Sequence, residues 1–525
     1  MVSDVRARAD QDLLHSLTIG DVLRQNARSH PGTIAVVDDN VSLTYPQLDE
    51  RVNRLANVLR GHGVGTGDRV LWLGQNSSRL YETILAVSKI GAVACPASWQ
   101  MEPDELAFII DDAEPRVALW QEAEIGEKVA AVRAGYPRDL VWIQHDGVGA
   151  GSYEGALAAA AADDLEEFVD KDAPLLLMYT SAFDGRPNGA LISGLGMILH
   201  SLVVAMQGVV DERYVYLNCG PMYRLGVLWS TVATLLTGGT NVFVPRADAT
   251  LICEAIQRHR CTAALLLEPT FSEVVATGKA GGYDLSSFRS PPGNPSWNAM
   301  TAPDPAYRPG SSSLYGQTEV TGLITAAAVG VAGAHGRAIP VAQLRIVDDS
   351  GVEVGPGEVG EIIARGPTVM IGYFRRPELN AHRQRDAWHH TNDLGRREAD
   401  GSITFLGSKG RIIKSGIENL YPAEIEAVLR RHPGVADAAV IGVPDAGSGG
   451  QVVKAIVVAA GPAPTGEELV DHCATLLARY KVPRDVVFVA DLPRTGSAID
   501  YDVLDRAHGG GGYPGSPLFA KLTGL

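Results

Sequence analysis

The stretch from residue 44 to residue 74 constrains the fold most. TYPQLDERVNRLANVLRGH sets Leu48, Val52, Leu55, Ala56 and Leu59 at helical spacing, Gly63 closes the run, and GDRVLWLG follows at once as a short apolar strand. A helix with one apolar stripe, placed directly before a strand that is apolar throughout, packs best in an open sheet covered by helices. The alternation recurs in YETILAVSKIGAVACPA and PRVALW and runs on through the Gly-rich middle, so the predicted class is α/β with layered sheets. From Val341, QLRIVDDSG, GEVGEIIARG and GSITFLG are short β runs between Gly and Asp turns, which predicts a β-rich subdomain over about 337–409. Beyond Gly410, LYPAEIEAVLRRHPGV and TGEELVDHCATLLARYK read as helices, and ADAAVIGVPD, VVKAIVVAAG and VVFVADLP as strands. The expected organisation is a large N-terminal domain, 1–409, and a small mobile α+β C-terminal domain, 410–525, with the segment around 401–411 as hinge.

Composition narrows the partners. A chain of 525 residues, 46% hydrophobic, exceeds what one core sustains, and 45 Lys plus Arg against 61 Asp plus Glu leave a formal charge of -16. That charge repels phosphate backbones and anionic membrane surfaces, so neither nucleic acid nor membrane is expected, although a local basic pocket for a small anion is allowed. Cys95, Cys219, Cys253, Cys261 and Cys473 form no metal-ligand pair and are odd in number, which fits reduced thiols in a cytoplasmic protein without zinc. The N-terminus MVSDVRARADQDLL has no apolar core of a secretion signal, and the apolar run near 195–209 is too short to span a bilayer.

Chemistry concentrates in three segments. In LYGQTEVTG, Thr318 and Glu319 put a hydroxyl beside a carboxylate on a turn, which serves either as a solvated loop or to orient a phosphate and neutralise it through Mg²⁺. HTNDLGRREADGSITFLG supplies Asp393, suited to accept both ribose hydroxyls of a nucleotide, and SKGRIIKSGIENLYPAEIE supplies a glycine-containing loop before an acidic amphipathic helix.

With these segments stand SLTYPQLDERVNRLANVL, YTSAFDGRPNGALIS, GEVGEIIARGPTVMIGYFRRPE and LPRTGS, and together they make the chain resemble, over nearly its whole length, the adenylate-forming family of acyl-CoA synthetases, 4-coumarate-CoA ligases, luciferases and peptide-synthetase adenylation domains. The resemblance implies two steps: ATP and a carboxylate give acyl-adenylate and pyrophosphate, then the C-terminal domain rotates and a thiol, commonly that of CoA, displaces AMP. It implies AMP binding by Gly293, Asn294, Tyr315, Thr318 and Asp393, and catalytic parts for Thr318, Glu319 and Gly416, with Glu319 the candidate Mg²⁺ ligand. Tyr223, Arg224 and Gly226 fall where the family binds the acyl group, and Ser415, Gly416, Ile417 and Glu418 where it admits CoA.

The departures are concentrated on ATP. In the phosphate loop TSAFDGRPNG, Ala182 stands for glycine, Phe183 and Asp184 for hydroxyl residues and Asn188 for lysine, so donors and charge are lost where a triphosphate would lie. Ser408 replaces a ribose-facing arginine, Gly410 the hinge residue, and in LPRTGSAID Ile499 replaces the lysine that bridges carboxylate and α-phosphate, with Lys481 and Arg494 as the nearest substitutes. The expectation from these losses is a non-adenylating enzyme, similar to the branch acting on platensimycin-type diterpenoid acids in antibiotic biosynthesis. It would take preformed acyl-adenylate from a separate adenylating enzyme and make acyl-CoA and AMP without ATP or Mg²⁺, as a homodimer. The alternatives are an ATP-dependent acid–CoA ligase with replacement residues, a CoA-to-carrier acyltransferase and a non-catalytic acyl- or nucleotide-binding protein.

Overall fold

The computed structural model describes residues 14–39, 41–136, 140–164, 166–180, 187–208, 210–290, 294–304, 315–326, 336–415, 418–445, 450–495 and 498–512. The predicted first helix, α1 (Tyr45–Gly61), starts at a capping box in which Thr44 and Gln47 satisfy each other's backbone N–H groups, and it buries Leu48, Val52, Leu55 and Leu59. The strand Arg69–Leu73 follows and pairs in parallel with Val93–Ala97 on one side and Val117–Trp120 on the other. Val70 and Trp72 enter one core and Leu71 and Leu73 another, so both faces of this strand are covered, which is why its sequence is apolar without alternation.

That strand lies inside a seven-stranded sheet, in the order Gly372–Tyr373, Asn188–Ser193, Pro174–Thr180, Val93–Ala97, Arg69–Leu73, Val117–Trp120, Val141–Gln144. A second sheet of five strands runs Ala263–Ala264, Val215–Asn218, Thr240–Phe243, Ile34–Asp38, Val41–Thr44. Among the helices packed on these sheets are α2 (Ser78–Ile90), α3 (Pro103–Ala113) and, later in the chain, α5 (Leu225–Leu236), while α4 (Tyr153–Ala159) packs on α1. The β-like runs after Val341 form a separate antiparallel sheet containing Gln343–Val347, Val359–Arg365, Trp388–Arg397 and Ile403–Ser408.

The C-terminal unit opens with the hairpin Ile413–Ser415 and Glu418–Leu420, then α6 (Pro422–Leu429) and a sheet of Val435–Asp445, Gly450–Ala459 and Asp485–Phe488. The fold is α/β in its large part and α+β in its small one, as the sequence predicts. One element is shorter than expected: the helix begun at Gly466 ends at Ala474, where the Leu476 N–H returns to the Cys473 carbonyl three residues back and tightens the last turn. The chain then makes a 3₁₀ turn at Arg479–Lys481, which carries Lys481 against α3. All five cysteines are free and buried, and among the described residues no helix is long and apolar enough to cross a membrane.

Candidate active site

Tyr315, Thr318, Glu319, Asp393 and Ser408 line one cavity of about 350 Å³, together with Thr180, Arg224, Tyr373, Arg383, Phe405, Lys414 and Asn419. Its floor depends on Gly316, where a Cβ would lie 1.9 Å from the Gly322 carbonyl oxygen, so only glycine lets the two short strands flanking Thr318 close together. The Tyr315 hydroxyl donates to Asp393 Oδ2 at 2.9 Å, the Gln317 amide donates to the same oxygen at 3.0 Å, and the Tyr315 ring stacks on Phe405 with centroids 5.0 Å apart. Burial lifts the Asp393 carboxyl to about 6, against the lowering effect of the Tyr315 hydrogen bond.

Glu319 is buried and accepts the Tyr373 hydroxyl at 2.8 Å, and burial holds its carboxyl above the ordinary carboxylate range. A carboxylate beside a hydroxyl on the wall of a polar cavity fits Mg²⁺, which commonly takes one or two protein carboxylates and completes its shell with phosphate oxygens and water. Lys414 enters from the C-terminal hairpin, with its ammonium bonded to Asn419 Oδ1. Burial lowers its affinity for the proton and the Asp393 charge opposes that shift. Lys414, Arg383 and Tyr373 are functional candidates that the motif reading did not assign; the KSG run holding Lys414 was the one available signal.

A second cavity, of about 380 Å³, is lined by Arg224, Gly226, Ser415 and Glu418, with Cys219, Pro221, Val227, Leu265 and Leu267 giving it an apolar wall. Tyr223 borders a small space between the two, with Thr180, Arg224, Asn419 and Tyr480. Other expected site residues lie elsewhere. Asn294 caps the short helix Pro295–Asn298, accepting from the Trp297 N–H at 3.0 Å, and does not line the cavity. Gly410 donates its N–H to Ser408 Oγ at 3.3 Å, at the exit of the last strand of the antiparallel sheet. Ile499 packs with Ala439, Ile441, Ile456 and Leu492 in the C-terminal core. Ala182, Phe183, Asp184, Gly293, Gly416 and Ile417 lie outside the described residues.

The two substitutes for the missing lysine already hold carboxylate partners, although Lys481 also lines the small space beside Tyr223. Lys481 donates to Glu105 at 2.6 Å and to Glu424 at 2.7 Å, and Arg494 is paired with Asp437. Cationic side chains do reach the region from other parts of the chain. Arg224, Arg383 and Lys414 line the cavity itself, whereas Arg376, whose Nε–H donates to Asn188 Oδ1 at 3.2 Å, is ion-paired with Asp112 at 2.6 Å.

A polar cavity of about 350 Å³ thus lies beside a more apolar one of about 380 Å³, and both are lined by residues of the large α/β unit and of the small α+β unit. Residues 23–374 match the AMP-binding enzyme family and residues 424–498 the AMP-binding enzyme C-terminal domain, and the chain belongs to this family. It is 36% identical over 486 residues to a feruloyl-CoA synthase of Amycolatopsis sp., covering 90% of this chain and 95% of the relative. It is 32% identical over 491 residues to the indoleacetate–CoA ligase of Aromatoleum aromaticum, covering 91% and 96%. Among solved structures, the ATP-bound chimera RpMatB-BxBclM B3 is 28% identical with a TM-score of 0.63, covering 93% of this chain and 99% of that one.

These similarities overturn the expectation of a non-adenylating enzyme that needs neither ATP nor Mg²⁺: the relatives, matched end to end, are acid–CoA ligases and synthetases, and the ATP-bound structure shares the fold. The physical reason lies in the charge count. The losses at Asn188 and Ile499 are read along contiguous motifs, whereas the fold brings Arg224, Arg383 and Lys414 to the cavity wall from distant segments.

Proposed function

We propose that the chain is an ATP-dependent carboxylic acid–CoA ligase in which phosphate-handling residues have been replaced rather than lost. The observation that carries this reading is the juxtaposition of the Asp393–Tyr315–Thr318 cavity with the apolar cavity, the two sharing Arg224 in their walls. In the first step a carboxylate oxygen held at the apolar cavity attacks the α-phosphorus of ATP, and pyrophosphate leaves with the electron pair of the broken P–O bond. Asp393 accepts the ribose hydroxyls, the Thr318 hydroxyl donates to the α-phosphate, and Glu319 would hold the Mg²⁺ that neutralises the phosphates. In the second step the CoA thiol enters beside Ser415 and its sulfur attacks the acyl carbon. The C–O bond breaks with its electrons on AMP, and the thiol proton passes to water.

The similarity to feruloyl-CoA synthase and indoleacetate–CoA ligase supports an acid with an apolar, aromatic body. Such a body suits a cavity of about 380 Å³ walled by Leu265, Leu267 and Val227. Five buried thiols accord with a reducing cytoplasm. The test is ATP–pyrophosphate exchange by the purified protein with ferulate and with indole-3-acetate, alongside mass detection of the CoA thioester and AMP. Acid-dependent exchange and equimolar thioester and AMP are expected; no exchange with any of a broad panel of aryl and alkyl acids would reject the reading.

A further inference from the structure

Arg224 stands where three spaces meet. It is the N-cap residue of α5, and its side chain borders the nucleotide cavity with Thr318, the small space with Tyr223 and Tyr480, and the apolar cavity with Leu265. Its guanidinium is paired with the carboxylate of Glu418, which belongs to the hairpin of the C-terminal unit 194 residues further along the chain. The cation is thus fixed to the large domain and its counter-ion to the small one. In this arrangement the Glu418 side chain is 13% exposed and that of Arg224 34%, so solvent screens the pair only from the arginine side.

We propose that Arg224 is the cation of the adenylation step and that Glu418 switches it, a reading that rests on the ligase function above. With the C-terminal unit displaced, Glu418 leaves with its hairpin and the guanidinium is uncompensated at the boundary between the acyl carboxylate and the α-phosphate. Its planar fork can hydrogen-bond an oxygen of each. It then offsets the charge that gathers as the carboxylate oxygen bonds to phosphorus and the bond to pyrophosphate breaks, which removes the need for cations at Asn188 and Ile499. When the unit docks, Glu418 takes the guanidinium back. The phosphate of the adenylate is held less tightly as the thiol sulfur attacks the acyl carbon, the C–O bond electrons pass to AMP and the thiol proton goes to water. AMP then leaves a site whose cation is already satisfied.

The test needs no knowledge of the acid. AMP is titrated calorimetrically into the full chain, into Glu418→Gln, into Arg224→Gln and into the double variant, with each fold checked by its melting curve. Glu418→Gln should bind AMP about tenfold more tightly than the unmodified protein, the scale of a typical coupling between sites, and the gain should vanish in the Arg224→Gln background. Where Arg224→Gln does not fold, Arg224→His carries the cycle: the gain from Glu418→Gln should appear at pH 5.5, with the imidazole charged, and disappear at pH 8. Equal AMP affinity in Glu418→Gln and the unmodified protein, or an equal gain with and without the arginine, overturns the switch. Pyrophosphate exchange separates this from the parent reading: its absence in the unmodified enzyme rejects the ligase. With exchange present, a fall of about 100-fold in Arg224→Gln and a rise in Glu418→Gln are expected.

Discussion

At the scale of single residues, Asp393 ties recognition to pH. As a carboxylate it can accept both ribose hydroxyls, and burial has raised its titration to about 6, so AMP affinity should be full above that pH and fall below it. Because the AMP phosphate itself titrates at about 6, the check uses adenosine: Asp393→Asn should abolish the pH dependence of its affinity and weaken it by about 2 kcal/mol, roughly 30-fold, in calorimetric titration from pH 5 to pH 8. Stability without ligand has the opposite sign. A carboxyl whose folded value lies above its ordinary 3.8 stabilises the fold most at low pH, and the contribution is lost as pH rises towards 6, so Asp393→Asn should melt higher than the unmodified protein at pH 7. Tyr315, Thr318, Glu319 and Asp393 were legible because each sits in a short contiguous motif, and they meet in one cavity. Arg224 was legible as a position but not as a charge at a three-way junction. Arg383 was not legible as a site cation, since nothing local in NAHRQRD says which cavity the fold turns it towards.

At the scale of elements, three helices are joined by one buried carboxylate. Glu82 of α2, 1% exposed, accepts Arg51 of α1 at 2.8 and 3.1 Å and the Tyr153 hydroxyl of α4 at 2.6 Å, while Arg51 also holds Glu154 of α4. Removing one member leaves buried polar groups without their counterpart, a loss of about 3 kcal/mol, so Glu82→Ala should lower the urea midpoint while ATP–pyrophosphate exchange at 25 °C stays unchanged. Glu82→Gln should fall between, because the amide can still accept from Tyr153. The helices themselves were read from their apolar period, but this network was not: its members are separated by 31, 71 and 103 residues, and periodicity reports only which face of a helix is buried. The same limit explains the overlong reading of the helix from Gly466, whose apolar pattern continues through Leu476 and Leu477 after its backbone has already turned.

At the scale of the whole molecule, the arrangement of the two units rests on a few charges, and α3 supplies the socket. Glu105 occupies the third position of that helix, where its Oε2 accepts the Glu102 N–H at 3.0 Å as part of a capping box; the same oxygen accepts the Ala478 N–H at 2.9 Å, and Oε1 accepts Lys481 at 2.6 Å. A residue whose sequence context reads only as a helix start therefore also holds the C-terminal unit in place. Lys481 keeps a second carboxylate, Glu424, within its own unit, so the small unit can leave α3 without stranding a bare ammonium. That asymmetry makes Glu105→Gln the informative change. Glutamine still caps the helix and Lys481 still has Glu424, so both units stay folded, and only the charge that holds them together is removed. Thioester formation in a single turnover should slow roughly tenfold while acid-dependent pyrophosphate exchange holds or rises, and trypsin should cut more readily after Lys409 and Arg411. The exposed Arg431–Asp104 pair spans the same boundary at 2.9 Å, but surface pairs contribute about 0–1 kcal/mol, so Asp104→Asn should leave both rates within about twofold. Equal slowing of exchange and thioester formation in Glu105→Gln would mean that Glu105 supports the large domain itself rather than the docking of the small one.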